Sequence, residues 1–127
     1  MSIKSKNPTS AELEILTILW KRNPLTVKEI HKHLRKTKEV GYTTALKIMQ
    51  NMTQKGFLKR ELKGKSHLYY AVYSQEETQQ NLLNRLIDTA FEGSASNLVM
   101  QLLGNKKASE KELNEIKDVI RQMEKEL

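Results

Sequence analysis

Polar and basic side chains recur at helical spacing in the segment that follows Gly41. Gln can pair with adenine through two hydrogen bonds, Thr can offer its methyl group to thymine, and Lys can reach guanine or a phosphate. These residue types on one helix face therefore predict contacts to the edges of nucleic-acid bases. The predicted base-reading residues are Tyr42, Thr43, Thr44, Lys47 and Gln50.

A second set of residues, most of them in the stretch after Gly56, is suited to phosphate rather than to bases. Side chains that contact phosphates set the affinity for nucleic acid and its salt dependence, but they do not by themselves read the base sequence. A lone lysine is usually a solvated surface charge, so this prediction depends on their clustering. The predicted phosphate contacts are Lys55, Lys59, Arg60, Lys63, Lys65 and Ser66.

Periodicity and turn residues predict the elements that carry these groups. A helix over about 43–55 has an inward apolar stripe and ends at Gly56, which suits the left-handed position after a helix. Alternating residues then predict a half-buried hairpin over about 58–72, with one of its two adjacent tyrosines in the core. The alternation involves Leu58, Arg60 and Leu62 on one strand and Leu68, Tyr70 and Val72 on the other, and the tyrosines are Tyr69 and Tyr70.

Helix starts are marked by capping boxes, in which a hydroxyl and a carboxylate three residues later satisfy each other's backbone amides. They predict helices near 10–21, 27–35 and 75–91 and a helix at the C-terminal end. A further short helix is predicted over about 95–103. The boxes are Thr9 with Glu12, Thr26 with Glu29, Ser74 with Glu77, and Ser109 with Glu112.

The three helices after residue 74 are amphipathic and follow a small domain that is already complete. The apolar residues of the last one are spaced 3, 4, 3 and 4, which is typical of a seam for another helix. We expect a second copy to cover this surface, because most oligomers are two-fold dimers; folding back onto the first domain is the alternative. The predicted dimer contacts are Leu98, Val99, Leu102, Leu113, Ile116, Ile120 and Met123, with Leu127 at the end of the seam.

The net charge of +7 is divided unevenly along the 127 residues. Residues 1–74 carry a net +10, whereas residues 75–127 carry a net −3. This asymmetry predicts that the first part binds a polyanion and the second part does something else. The expected fold is mainly α with a small β-hairpin wing: a winged helix-turn-helix DNA-binding domain over 1–74 and a helical dimerisation domain over 75–127.

Composition also excludes several functions. The chain has no cysteine, so disulfides, thiolate metal sites and cysteine nucleophiles cannot occur. His31 and His33 are two residues apart on a helix and point to different faces, and His67 lies in a strand, so no metal site is expected. No other cofactor is expected. No catalytic motif is visible, which argues against an enzyme. The first ten residues lack an apolar region, and no apolar run approaches 18 residues, so we expect a cytoplasmic protein without membrane insertion.

Five segments together carry a resemblance to a known family. They are TSAELEILTILW (Thr9–Trp20), TVKEI (Thr26–Ile30), YTTALKIMQNMTQKGFLKR (Tyr42–Arg60), FEGSASNLVMQLL (Phe91–Leu103) and ASEKELNEIKDVI (Ala108–Ile120). In this order they resemble the penicillinase-repressor family of the BlaI, MecI and CopY type, over nearly the whole chain. The resemblance implies a homodimeric winged-helix transcriptional repressor that binds operator half-sites arranged as an inverted repeat.

The resemblance also implies a route of induction. In that family, release from DNA follows either cleavage by a membrane sensor-protease or metal binding at C-terminal cysteines. The second route is excluded here because the chain has no cysteine. The family's scissile bond joins Asn to Phe, and the matching position in this chain is Gln101-Leu102, a related pattern and a candidate cleavage site.

Two other functions are compatible with the sequence. The chain could be a winged-helix regulator that responds to a small molecule bound between its two regions. It could also be a basic winged-helix module that binds RNA or an acidic protein rather than duplex DNA.

Overall fold

The computed structural model describes residues 7–105 and 108–126. Three helices are followed by an antiparallel hairpin and then by three more helices, so the predicted mainly helical fold with a small wing is confirmed. The elements are α1 (Ser10–Lys21), α2 (Val27–Leu34), α3 (Tyr42–Lys55), β1 (Leu58–Lys63), β2 (Ser66–Ala71), α4 (Gln75–Thr89), α5 (Ala95–Gly104) and α6 (Glu110–Lys125).

All four predicted capping boxes are present as reciprocal hydrogen bonds. At the start of α1, the Glu12 amide donates to the Thr9 hydroxyl at 3.2 Å, and the Thr9 amide donates to the Glu12 carboxylate at 2.8 Å. The same pair of bonds begins α2, α4 and α6. Each cap contributes about 1 kcal/mol. The sequence therefore determined where these helices start.

The core lies between α1, α2, α3 and the base of the hairpin. Helical spacing brings the apolar face of each helix to this centre, and Gly56, at φ +91°, lets the chain turn sharply from α3 into β1. The side chains with almost no exposure are Ile15, Leu19, Ile30, Met49, Met52 and Tyr69.

The hairpin is buried only at its base. Its register pairs Leu58 with Ala71 and Lys63 with Ser66, so the two-residue turn lies at Gly64 and Lys65. Leu58 and Tyr69 are buried, which confirms that one of the adjacent tyrosines is in the core, but Leu62 is 66% exposed. The half-buried pattern predicted for the whole hairpin is therefore wrong beyond its first residues, because the tip extends past the helices that could cover it.

The wing also has a third extended segment that sequence patterning did not indicate. Leu25, between α1 and α2, exchanges both backbone hydrogen bonds with Tyr69, at 3.2 Å and 2.8 Å. One bridge does not produce an alternating pattern, so no sequence signal marks it. It fixes β2 to the helical core.

The chain divides into two compact units between Leu82 and Leu83, within α4. α4 ends at Thr89, two residues before the predicted end, because the chain enters a turn in which Glu92 and Gly93 have φ of +49° and +85°. In the described part of the second unit, no residue is buried. Leu127, predicted at the end of the seam, lies outside the described residues.

Of the helices that the structure describes, none is long and apolar enough to cross a membrane.

Candidate nucleic-acid interface

The residues that α3 exposes follow from the residues that it buries. Ala45, Met49 and Met52 are fully buried against the other two helices. Because residues four and seven apart share one side of a helix, Thr43, Lys47 and Gln50 must lie on the opposite side, and all three are exposed. α3 therefore presents a continuous polar surface at the edge of the domain.

Two clefts border this surface, both within the first unit. The helix cleft is lined by Thr43, Leu46, Lys47, Gln50, Asn51, Thr53, Gln54 and Arg60. The wing cleft is lined by Thr26, Val27, Lys28, Tyr42, Leu46, Gln50, Arg60, Lys65, Ser66, His67 and Tyr69.

The structure brings most of the predicted base-reading residues to these clefts. Thr43, Lys47 and Gln50 line the helix cleft, and Gln50 and Tyr42 line the wing cleft. Thr44 is exposed but lines neither cleft, because its position on α3 turns it toward the flank of the helix. Gln50 therefore has a central position between the two clefts.

Tyr42, at the first position of α3, is positioned by a histidine of α2. The two rings meet edge to face, with centroids 5.8 Å apart and an interplanar angle of 85°. Nε2 of His31 lies 2.7 Å from the carbonyl oxygen of Val40, so this ring nitrogen carries a hydrogen and donates it to the carbonyl. This contact holds the start of α3 against α2 while leaving 47% of Tyr42 exposed.

The N-terminus of α3 has no side-chain cap, since its N-cap residue is Gly41. The first amide groups of a helix need an acceptor and lie at the positive end of the helix dipole. A phosphate oxygen is a suitable acceptor for such groups.

The cations of the wing point in different directions. Lys65 and Ser66 line the wing cleft at the hairpin tip, where Lys63 pairs with Ser66 across the ladder. Lys59 lies on the other face of the hairpin, with its ammonium group 5.6 Å from the centre of the Tyr70 ring. Arg60 lies on the face of the hairpin that is turned toward α3, and it lines both clefts.

Lys55 has a partner inside the protein. Its ammonium group donates to the carboxylate of Glu12 at 2.7 Å, and the Glu12 side chain is almost completely buried. Burial alone would raise the pKa of Glu12, but the hydrogen bonds from Lys55 and from the Thr9 backbone, with the Lys55 charge, lower it below its ordinary value. This ion pair links the start of α1 to the end of α3.

Several residues that line the clefts were not among the predicted contacts. Gln54 is four residues after Gln50, and helical periodicity places it on the same outer face. Thr26, Lys28 and His67 come from two other elements and reach the wing cleft only through the tertiary fold. No local pattern marks such residues.

In the described ranges, no group of three or more histidine, aspartate or glutamate side chains could hold a metal ion.

A family model described as penicillinase repressor matches residues 8–122. The chain belongs to this family. The predicted resemblance is thereby confirmed, and with it the description of the chain as a BlaI/MecI-type repressor with a DNA-binding, transcription-regulating role.

Sequence identity to three members of the penicillinase-repressor family is low, but each match covers 88% or more of this chain. The penicillinase repressor of Staphylococcus aureus is 21% identical over 125 residues, which cover 98% of this chain and 99% of that protein. The penicillinase repressor of Bacillus licheniformis is 22% identical and covers 88% of each chain. The methicillin resistance regulatory protein MecI of S. aureus is 21% identical over 94% of this chain and 98% of its own length.

Two solved structures share the fold of the first unit. The solution structure of the DNA-binding domain of the repressor BlaI matches with a TM-score of 0.53 and 24% identity, over 60% of this chain and 93% of that one. The B. licheniformis BlaI monomer in complex with the blaP half-operator matches with a TM-score of 0.51 and 24% identity, over 58% of this chain and 90% of that one. The winged-helix fold is thus confirmed.

Proposed function

We propose that this chain is a sequence-specific transcriptional repressor that binds inverted-repeat DNA operators as a homodimer in the cytoplasm. The observation that carries the proposal is the polar outer face of α3 with the basic wing beside it, in a chain of the penicillinase-repressor family. The relative with this fold that was solved on a half-operator supports duplex DNA as the ligand.

In this proposal, α3 enters the major groove. The groove of B-DNA accommodates one helix, and each base pair presents a distinct pattern of donors and acceptors there. Thr43, Lys47 and Gln50 are exposed on the face that would meet the bases, with Tyr42 and Thr44 at the start of the helix. These five residues are assigned to base reading.

The wing and the ends of helices are assigned to the phosphate backbone. Lys63, Lys65 and Ser66 lie at the hairpin tip, and Lys59 lies on its outer face. There the lysines can neutralise phosphates on either side of the groove, and the Ser66 hydroxyl can donate a hydrogen bond to one. Lys55, in contrast, is engaged with Glu12. Its main contribution is therefore to hold α3 in place.

The dimer proposal rests on the exposed apolar surface of the second unit. The described part of this unit has no buried residue and therefore no core of its own, and Val99, Leu102 and Ile120 are each more than 40% exposed. Within that unit, a groove between α5 and α6 is lined by Leu102, Ile116 and Ile120. A second copy of the same surface is an apolar partner of matching size, and two-fold pairing would present two recognition helices to one inverted repeat.

The proposed dimer contacts are the residues that line or flank this surface: Leu98, Val99, Leu102, Leu113, Ile116, Ile120 and Met123. They come from two helices, α5 and α6.

For induction, we propose cleavage near Gln101-Leu102 by a membrane sensor-protease. Both residues are exposed but lie inside α5, so a protease would need to unwind the end of this helix before it could bind the chain in an extended form. The cut would separate α6 from the DNA-binding unit. The shortened chain would be a monomer with one DNA-binding unit. It would bind the operator more weakly, because no second unit is held at high effective concentration near the other half-site.

Co-expression with the cognate sensor and its inducer tests this route. The expected result is a shortened chain together with expression of the target gene. Expression of the target while the chain stays at full length would exclude cleavage as the mechanism.

Selection of bound sites from random duplex DNA tests the function itself. We expect enrichment of a two-fold symmetric sequence whose half-sites are separated by about one helical turn, 34–36 Å, or a multiple of it. Absence of any enriched sequence, with equal loss of binding to all duplexes as salt rises, would instead indicate a basic module for RNA or an acidic protein.

A further inference from the structure

Arg60 differs in orientation from the other cations of the wing. In the hairpin register it lies opposite Tyr69, so the two side chains share one face of the ladder, and Tyr69 is 1% exposed in the core. Lys59 lies opposite Tyr70 on the other face. Side chains alternate between the faces of a strand. Arg60 therefore points toward α3, while its neighbour points away.

One hydrogen bond within the protein orients the Arg60 side chain. Nη1 of Arg60 donates to the Tyr69 hydroxyl at 3.4 Å, a long hydrogen bond that orients the guanidinium without neutralising it. The backbone N–H and C=O groups of Tyr69 are in turn both hydrogen-bonded to Leu25. Among the described residues, Arg60 forms no ion pair, so most of its five donors remain available to a ligand.

Arg60 and Gln50 line both the helix cleft and the wing cleft. Neither Lys59 nor Lys63 lines either cleft, and Lys65 lines only the wing cleft. If α3 enters the major groove, a side chain beside the middle of α3 faces the DNA bases. The hairpin tip would instead face the phosphate backbone of the DNA. The planar guanidinium matches O6 and N7 of guanine through two hydrogen bonds, which is the commonest specific contact in the major groove.

We propose that Arg60 is a specificity-determining residue that reads a guanine in the base pair next to the one read by Gln50. This inference rests on the proposed function, and it changes the role predicted for Arg60 from the sequence, which was phosphate contact. The wing then contributes to sequence recognition through one residue at its base and to affinity through the lysines at its tip.

The test compares wild type with Arg60→Lys on a set of duplexes in which each base pair of the selected half-site is replaced in turn. Lysine keeps the charge but lacks the planar pair of donors. We expect Arg60→Lys to lose about 5- to 150-fold in discrimination at one guanine position and nothing elsewhere, the range that a bidentate pair provides. Its salt dependence should equal that of wild type, because the charge is retained.

Lys59→Ala is the matched control, since it removes a cation from the adjacent residue on the opposite face. It should weaken all duplexes by the same factor and leave the preference at every position unchanged. If Arg60→Lys and Lys59→Ala both leave the base preferences intact, Arg60 contacts only phosphate and the proposal is wrong.

Tyr69→Phe separates base reading from a purely structural role. Loss of the hydroxyl leaves the ring in the core but frees the guanidinium, so discrimination should fall at the same guanine position as in Arg60→Lys, by a smaller factor. An equal loss on every duplex would show that Tyr69 supports only the fold and would count against its positioning role. If wild type itself shows no base preference, the proposed function is wrong. If wild type shows a preference that Arg60→Lys does not alter, only the role proposed for Arg60 is wrong.

Discussion

Replacement of Lys55 by methionine should destabilise the first unit rather than abolish phosphate contact. Methionine keeps an unbranched apolar side chain but leaves the Glu12 carboxylate, whose residue is 4% exposed, without its cationic partner. A hydrogen bond to a charged group contributes about 1.5–3 kcal/mol. Because the Lys55 side chain is 48% exposed, solvent screening reduces this value, and we expect a loss of about 1–2 kcal/mol.

The loss should depend on pH in a defined direction. The pKa of Glu12 is lower in the folded protein than its ordinary value. The ion pair therefore stabilises the fold above the pKa of an unfolded glutamate, about 4.3, and this contribution disappears as the pH falls through the lower folded pKa. Wild type and Lys55→Met should accordingly approach equal stability in acid.

Urea unfolding of the full chain, from pH 7 to the lowest pH at which the transition is two-state, measures both effects. Lys38→Met is the matched control, because Lys38 pairs with Glu14 at 2.9 Å but both side chains are more than 40% exposed. Such a surface pair contributes about 0–1 kcal/mol. The reasoning would be refuted if Lys55→Met were no less stable than Lys38→Met at pH 7, or if its deficit were the same at every pH.

Three further predictions concern DNA and the dimer. Lys47→Ala should cost about 1–3 kcal/mol at one position of the half-site if the ammonium group contacts a base edge, as measured on single-substitution duplexes; an equal loss on every duplex would contradict this assignment. Lys65→Ala should weaken all duplexes alike and reduce the slope of log K against log salt by about one; a change in base preference would exclude its phosphate role. Ile120→Asp should convert the dimer to a monomer in sedimentation and lower operator affinity, because it places a charge in the proposed apolar interface at a residue that is 49% exposed in one chain. Asn114→Asp, on the opposite face of α6, should leave the dimer intact; a dimer that persists in Ile120→Asp would remove this seam from the proposed interface.

The helical part of the fold was predictable because its signals are local. A capping box lies within four residues, and the Ala45, Met49 and Met52 stripe lies within three turns of one helix. The end of α4 was harder to predict from the sequence. It depends on where the chain enters the turn at Glu92 and Gly93, and the predicted end was two residues late.

The hairpin was predictable as an element but not in its burial. Alternation over Leu58 and Leu62 implies one buried face, yet only the base of the hairpin has a core beneath it. The extent of burial depends on where α1 and α3 lie. The alternation of residues along a strand carries no information about the position of these helices. The bridge between Leu25 and Tyr69 was missed for the same reason.

The candidate site was predictable where it follows a single helix. Thr43, Lys47 and Gln50 share a face by periodicity alone. The partner of Lys55 was not predictable, because Glu12 is 43 residues away in sequence and already has a complete explanation as a helix cap. The orientation of Arg60 required the strand register, which the turn at Gly64 and Lys65 determines.

Competition between the selected duplex and a scrambled duplex of equal composition, measured over a range of salt, tests the central claim most directly. The proposal predicts that both affinities fall as salt rises, while the selected duplex stays preferred by about 10³-fold or more at physiological salt. Equal affinity for the two duplexes at every salt concentration would contradict it.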